Sequence, residues 1–140
     1  MRIFFLMLVA VSIMACHTSK VSSNTMISEK DNSKYLNGTW QLQTLFASDN
    51  KWDKQPVLNI NFEERTISGN NGCNSFGGKF TLKGSYIAVD RQVISTKMAC
   101  TTKYERDFIP ALLKINTYTV KGNDLELAQG EIVLMKFKRQ

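Results

Sequence analysis

Three cysteines and a single histidine are the residues of this chain best suited to covalent or metal chemistry. Cys16 ends an apolar N-terminal run. Cys73 sits in Gly69-Asn70-Asn71-Gly72-Cys73-Asn74-Ser75-Phe76-Gly77-Gly78, and Cys100 closes Ser95-Thr96-Lys97-Met98-Ala99-Cys100. A thiol can be acylated, joined to a second thiol, or ligated to a metal, and its surroundings decide which. A C-x-x-C pair is absent, which argues against a dithiol oxidoreductase. A zinc site needs further Cys or His ligands, and none are grouped with these two, so no metal or cofactor is expected. The only histidine, His17, adjoins Cys16, which leaves the rest of the chain without the base of a Ser-His-Asp or Cys-His arrangement. Two carboxylate pairs remain. Glu63 and Glu64 sit in a turn beside Arg65. Glu105 and Asp107 lie two apart on a predicted helix, where side chains do not face each other. Both pairs read as solvated charge, and no catalytic residue is assigned.

The first cysteine is explained by what precedes it. Met1-Arg2 is a positive start, Ile3 to Met14 is apolar except for Ser12, and Ala15 is small. That is the layout of a secretory signal peptide, residues 1–15. Its apolar run of about 12 residues is too short for the roughly 20 that span a bilayer. Ile13-Met14-Ala15-Cys16 also resembles a bacterial lipobox, so Cys16 is expected to be lipidated after cleavage, with a chance cysteine near an ordinary signal peptide as the bland alternative. Acyl chains anchor by burying methylenes, about 0.8 kcal/mol each. Residues 16–34 then form a polar, flexible tether, apolar only at Val21, Met26 and Ile27, with a reach on the order of 25 Å. Its first acidic residue is Glu29, which points to an outer-membrane anchor facing the periplasm rather than inner-membrane retention.

With Cys16 acylated, Cys73 and Cys100 form an even pair in a secreted domain. Such pairs are usually disulfide-linked, and two reduced, buried thiols are the alternative. The separation of 27 residues corresponds to about 3.5 kcal/mol in the chain-entropy argument.

The elements that must position this pair are mostly strands. From Gly38 onward apolar and polar residues alternate: Trp40, Leu42 and Phe46 inward; Leu58, Ile60 and Phe62; Phe76, Phe80 and Leu82; Ile87 and Val89; Tyr118 and Val120; Leu125 and Leu127. Turn residues fall between the runs. Asn71-Gly72 suits a two-residue type I′ hairpin, and Gly77-Gly78 within a strand suits a bulge or a close backbone approach. The glycines lead into a strand rather than a helix, so they do not read as a phosphate loop. Ile132-Val133-Leu134-Met135 is apolar on both faces, as a strand covered on both sides would be. Tyr104, Phe108, Leu112 and Ile115 recur at helical spacing, which predicts one helix over about 102–115. Thr102 and Glu105 suit a capping box, and Pro110 predicts a kink or a break into two short helices. The expected fold is mainly β (β-rich α+β): a small antiparallel, barrel-like sheet of about eight strands with one helix packed on it, forming one domain over residues 35–140.

Charge narrows the partners. Losing residues 1–15 removes Arg2 and lowers the formal net charge of +6 by one, to +5. The lysines are spread singly, and the one cluster, Lys136, Lys138 and Arg139, reads as the solvated face of a strand. No nucleic acid is expected. Trp40 alternates as core. Trp52, in Ser48-Asp49-Asn50-Lys51-Trp52-Asp53-Lys54, lacks apolar neighbours in the sequence and is the candidate for an exposed contact with a partner, the alternative being that it folds back onto the barrel rim.

Leu36-Asn37-Gly38-Thr39-Trp40-Gln41-Leu42, the Gly-Cys-Asn-x-Phe-x-Gly core of residues 72–78, and Thr96-Lys97-Met98-Ala99-Cys100 together resemble the META domain family, that of HslJ-like heat-shock lipoproteins. The resemblance runs from about Tyr35 to Phe137. It implies a small β-rich barrel with one helix, often on a secreted or lipid-anchored chain. It also implies links to heat shock, to novobiocin tolerance and, in parasites, to virulence, and brings no enzymatic activity to carry over. The expected function is a non-enzymatic envelope lipoprotein, held at the membrane by its anchor and binding or stabilising an envelope protein or ligand. The alternative is a carrier with a barrel cavity for a lipid or other hydrophobic small ligand.

Overall fold

Strands form where apolar residues recur at every second position. The computed structural model describes residues 33–48, 51–101 and 104–140. A 3-10 turn, Ser33–Leu36, leads into β1 (Gly38–Leu45), β2 (Val57–Asn61), β3 (Thr66–Asn70), β4 (Ser75–Lys83), β5 (Tyr86–Val89) and β6 (Ile94–Ser95). Then come the helix α1 (Tyr104–Leu112) and β7 (Thr117–Lys121), β8 (Asp124–Gln129) and β9 (Ile132–Arg139). Ser33 and Leu36 of the 3-10 turn are buried.

Every pairing is antiparallel. Around the sheet the strands run β3-β2-β1-β9-β8-β7-β5-β4, and β4 pairs back onto β3. Among the described residues this closes eight strands into a barrel, which leaves no long free edge for another chain to join. The ninth, β6, is a two-residue addition to β4 outside the ring. The nine residues of β4 serve three neighbours: β3 along one side, β6 and then β5 along the other.

Inward side chains fill the barrel. Trp40, Leu42, Leu58, Phe76, Leu125, Met135 and Phe137 belong to one buried cluster. α1 completes it. The ring of Phe108 lies 5.4 Å from Phe76 on β4 and 6.5 Å, edge-on, from Phe137 on β9. These two strands stand on opposite sides of the ring order, so Phe108 spans the barrel and α1 acts as its plug.

Four local expectations are corrected. First, β1 carries an irregularity between Leu42 and Thr44, where Gln43 is the extra residue. The phase shifts, Leu45 takes the inward place, and Phe46 turns out to solvent, 46 % exposed at φ +54°. Second, β9 is not covered on both faces. Leu127 pairs with Met135 and Ala128 with Val133, so Leu134 is an extra residue and two neighbours are buried together while Ile132 is 68 % exposed. Third, α1 is one nine-residue helix that contains Pro110. Pro110 falls in its last turn on the exposed side, and the Leu113 N–H still reaches the Ile109 carbonyl at 2.9 Å, so no break is needed. Fourth, residues 71–74 form a four-residue loop rather than a two-residue turn, because Asn71 folds inward. Gly77 and Gly78 stay in register with β3, so there is no bulge there. A Cβ on Gly78 would lie 3.2 Å from Val93 Cγ2, the close approach that favours glycine.

Candidate functional site

The loop between β3 and β4 meets the segment after β6 at the two cysteines. Cys73 and Cys100 are joined by a disulfide, with Cα atoms 5.9 Å apart, inside the usual range for such a link. Around it three asparagines replace the regular ladder. Asn70 Oδ1 accepts the Gly72 N–H at 2.8 Å, and Asn71 Oδ1 accepts the N–H groups of Cys73 (3.1 Å) and Asn74 (2.6 Å). The Asn71 side-chain NH2 donates to the Glu105 carbonyl at 2.8 Å, which ties the loop to the first turn of α1. Asn74 Oδ1 accepts from the Met98 N–H (2.7 Å) and the Thr96 hydroxyl (2.9 Å). Its NH2 group faces Cys100 Sγ at 3.0 Å and Cys73 Sγ at 3.6 Å. Asn71 is 5 % and Asn74 8 % exposed, so these bonds replace water for groups that have lost it.

A hollow of about 500 Å³ opens beside this bridge. Its floor is Asn71, Asn74 and Glu105, and Lys97, Met98 and Arg106 stand at its rim. Glu105, only 3 % exposed, is therefore not the solvated charge expected of it, while Asp107 is half-buried and Glu63 and Glu64 are exposed in their turn. The floor amides are engaged with backbone and sulfur. Their evident work is to hold the bridge, the β3–β4 loop and α1 together.

A second hollow, shallow and about 340 Å³, lies over β1, β2 and β3. Register brings its residues together: Thr39 pairs with Asn59 and Asn59 with Ser68, while Asn61 pairs with Thr66. Asn37, just before β1, completes the set. No charged residue lines it. The sequence missed this group because its members come from three strands and meet only through the register. The available signal was Asn59 and Asn61 in one short strand, where asparagine is disfavoured.

The other expected positions fall as follows. Cys16 and His17, with the proposed signal peptide and tether up to residue 32, lie outside the described residues, as does Thr102 of the capping box. Trp52 is half-buried, packs against the core, and sets its ring 5.7 Å from that of Tyr104. It has apolar neighbours in the fold, as the alternative of folding back onto the barrel has it, and its Nε1 is buried without a hydrogen-bond partner among the described residues. Trp40 is fully buried, and its Nε1 donates to the Leu36 carbonyl at 2.8 Å. The C-terminal basic residues sit on β9: Lys136 meets Glu126 and Lys138 meets Asp124, each at 2.9 Å, and the Arg139 guanidinium lies 4.1 Å from the Trp40 ring centroid. Among the described residues no group of three or more His, Cys, Asp or Glu is placed to hold a metal ion. No helix among them is long and apolar enough to cross a membrane.

The class is therefore a small, closed antiparallel barrel, plugged by one helix and braced at its rim by a disulfide set among asparagines. Residues 33–140 match the META domain, and the chain belongs to that family. No curated protein matches the chain. Solved structures share the fold. A protein from Burkholderia xenovorans solved by NMR is 20 % identical with a TM-score of 0.63, over 78 % of this chain and 86 % of that one. A second NMR structure is 21 % identical with a TM-score of 0.61, over 76 % and 93 %. A DUF4847 family protein from Bacteroides vulgatus is 18 % identical with a TM-score of 0.57, over 78 % and 96 %.

Proposed function

We propose that this chain is a non-enzymatic lipoprotein of the cell envelope. It is anchored by acylated Cys16 in the outer membrane, faces the periplasm, and binds or stabilises an envelope partner in a way that supports tolerance of heat or novobiocin. The observation that carries this reading is the Cys73–Cys100 disulfide, which belongs to an oxidising compartment. Membership of the META family supports the stress role, and the order of Arg2, the apolar run and Cys16 supports the anchor. The carrier reading loses ground because Phe108 occupies the space between opposite walls.

Cell fractionation combined with a deletion strain tests the proposal. The full chain is expected in the outer-membrane fraction with its bridge formed, and Cys16→Ser in the soluble periplasm. The deletion strain is expected to be sensitive to heat or novobiocin and rescued by the full chain alone. Recovery of the chain in the cytoplasm with reduced thiols, or a deletion strain as tolerant as its parent, would overturn it.

A further inference from the structure

We propose that the edge strand β6 and the hollow beside the disulfide together dock an extended, acidic segment of a partner protein. Among the described residues the strand order ends at β6, so β4 runs along one side of it and no strand along the other. The ring closes elsewhere: β7 joins β5 at a single register position, Tyr86–Thr117, before the chain reaches β6. The ladder fixes which backbone groups are left over. The Thr96 N–H donates to the Ser75 carbonyl at 3.0 Å, and Ser95 stands opposite Phe76. Residues of an antiparallel pair alternate between those that bond the partner strand and those that do not. Ile94 and Thr96 therefore aim their backbone groups at β4, and Ser95 aims its N–H and carbonyl away. The Met98 N–H continues the series, reaching Asn74 Oδ1 at 2.7 Å, which turns Lys97 outward like Ser95. The N–H groups of Ser95 and Lys97 have no hydrogen-bond partner among the described residues. Outward groups at alternate residues are what an added strand pairs with. Ile94 is 80 % and Met98 62 % exposed, so the edge offers apolar surface as well.

Charge selects the occupant. Thr96, Lys97 and Met98 line the hollow of about 500 Å³, so it opens where the edge ends. Of the charged residues around it, Lys97 and Arg106 are exposed, and neither makes an ion pair among the described residues. The acids nearby do not offset them in the hollow. Glu105 is 3 % exposed on the floor, Asp107 is half-buried, and Asp53, which accepts the Thr101 hydroxyl, does not line it. A carboxylate carried in on the added strand thus finds two unpaired cations, the setting for charge-assisted hydrogen bonds. Along the edge itself Arg91 and Lys97 are exposed cations, and the one acid, Asp90, accepts the Gln92 N–H at 3.1 Å. Two copies of this edge side by side would bring both cations of each together, which disfavours a second copy as the occupant. The inference goes beyond the proposed role by naming the kind of partner, and its test depends on neither lipidation nor stress tolerance.

Peptide titration of the full chain in detergent micelles, followed by two-dimensional NMR, tests it. The probe is an octapeptide of alternating valine and threonine that ends in two aspartates and is capped at both ends. One control replaces the aspartates by asparagines, and another is N-methylated throughout. With the acidic peptide the amide signals of Ser95 and Lys97 are expected to move and to exchange with solvent about tenfold more slowly. The asparagine peptide should bind about tenfold more weakly, and the N-methylated one not at all. Affinity for the acidic peptide should fall between about 50 and 300 mM salt. Ser95→Pro removes a donor that β4 does not use and should abolish binding at an unchanged melting temperature. If the proline disturbs folding, the N-methylated peptide carries the same test. Lys97→Gln with Arg106→Gln should erase the preference for aspartate while both peptides still bind. Unchanged exchange at Ser95 and Lys97, or equal affinity for the acidic and asparagine peptides, would overturn the proposal. So would slowed exchange without peptide that rises with chain concentration, the mark of a second copy.

Discussion

Asn71 and Asn74 are small polar residues in positions where larger side chains would leave backbone groups stranded. Removing the Asn71 amide strands the N–H groups of Cys73 and Asn74 and cuts the loop's tie to the Glu105 carbonyl. At about 1–3 kcal/mol for each buried group left without a partner, partly relieved by water, Asn71→Ala should lower stability by about 3 kcal/mol in urea unfolding. An unchanged midpoint would mean that the loop is held by other contacts. Trp52 poses a smaller question. Its ring meets Tyr104 and one face of the core, but it is only half-buried. Trp52→Ala should therefore cost about 1–2 kcal/mol, well short of the loss of a full core aromatic. A larger loss would make it a core residue and end its candidacy as a partner contact. Asn71 does not stand out in the sequence, where Gly69-Asn70-Asn71-Gly72 reads as turn residues alone, and Asn74 enters only as part of the Gly-Cys-Asn motif. An amide's role as a loop scaffold depends on which backbone groups the fold has stripped of water, and residue type does not show that.

At the scale of elements, legibility followed the amount of alternation. β1, β4 and β8 have several apolar residues two apart, and they were readable. β3 was not. Its sequence, Thr66-Ile67-Ser68-Gly69-Asn70, buries Ile67 alone among large side chains, and it is a strand because β2 and β4 bind it on both sides. β6 is two residues long and exists through its pairing to Phe76 and Gly77. The bulges at Gln43 and Leu134 were equally hidden, since one inserted residue changes the facing of its neighbours without changing composition. The polar groove was invisible for a related reason: its rows exist only once three strands are in register. The helix was readable from its apolar stripe, but its work as a plug was not. That work predicts a large effect for a single truncation. Phe108→Ala should destabilise by about 3–5 kcal/mol, because opposite walls lose their common contact and cannot close on the gap. Calorimetry on this variant and on Trp52→Ala side by side checks the ranking: parity between them would contradict the plug.

Across the whole molecule, stability rests on the filled barrel and its bridge far more than on surface charge. The pairs Lys136–Glu126 and Lys138–Asp124 are roughly half exposed, so each is worth about 0.2–1 kcal/mol, and alanine at both lysines should leave the unfolding midpoint nearly unchanged. The disulfide differs. It joins residues 27 apart, and its loss should cost about 3.5 kcal/mol by the chain-entropy argument, enough to lower the melting temperature by roughly 10–20 °C in a domain of this size. Its cysteines were legible from their even number beyond Cys16, whereas the asparagine frame that positions them was not. The central claim is that an oxidised bridge between Cys73 and Cys100 locks the loop before β4 to the segment leading into α1, outside the cytoplasm. Alkylation of the unreduced protein, taken directly from cells and read by mass spectrometry, tests it most directly. The account predicts that neither Cys73 nor Cys100 takes up the label until a reductant is added; labelling of both without reductant would contradict it.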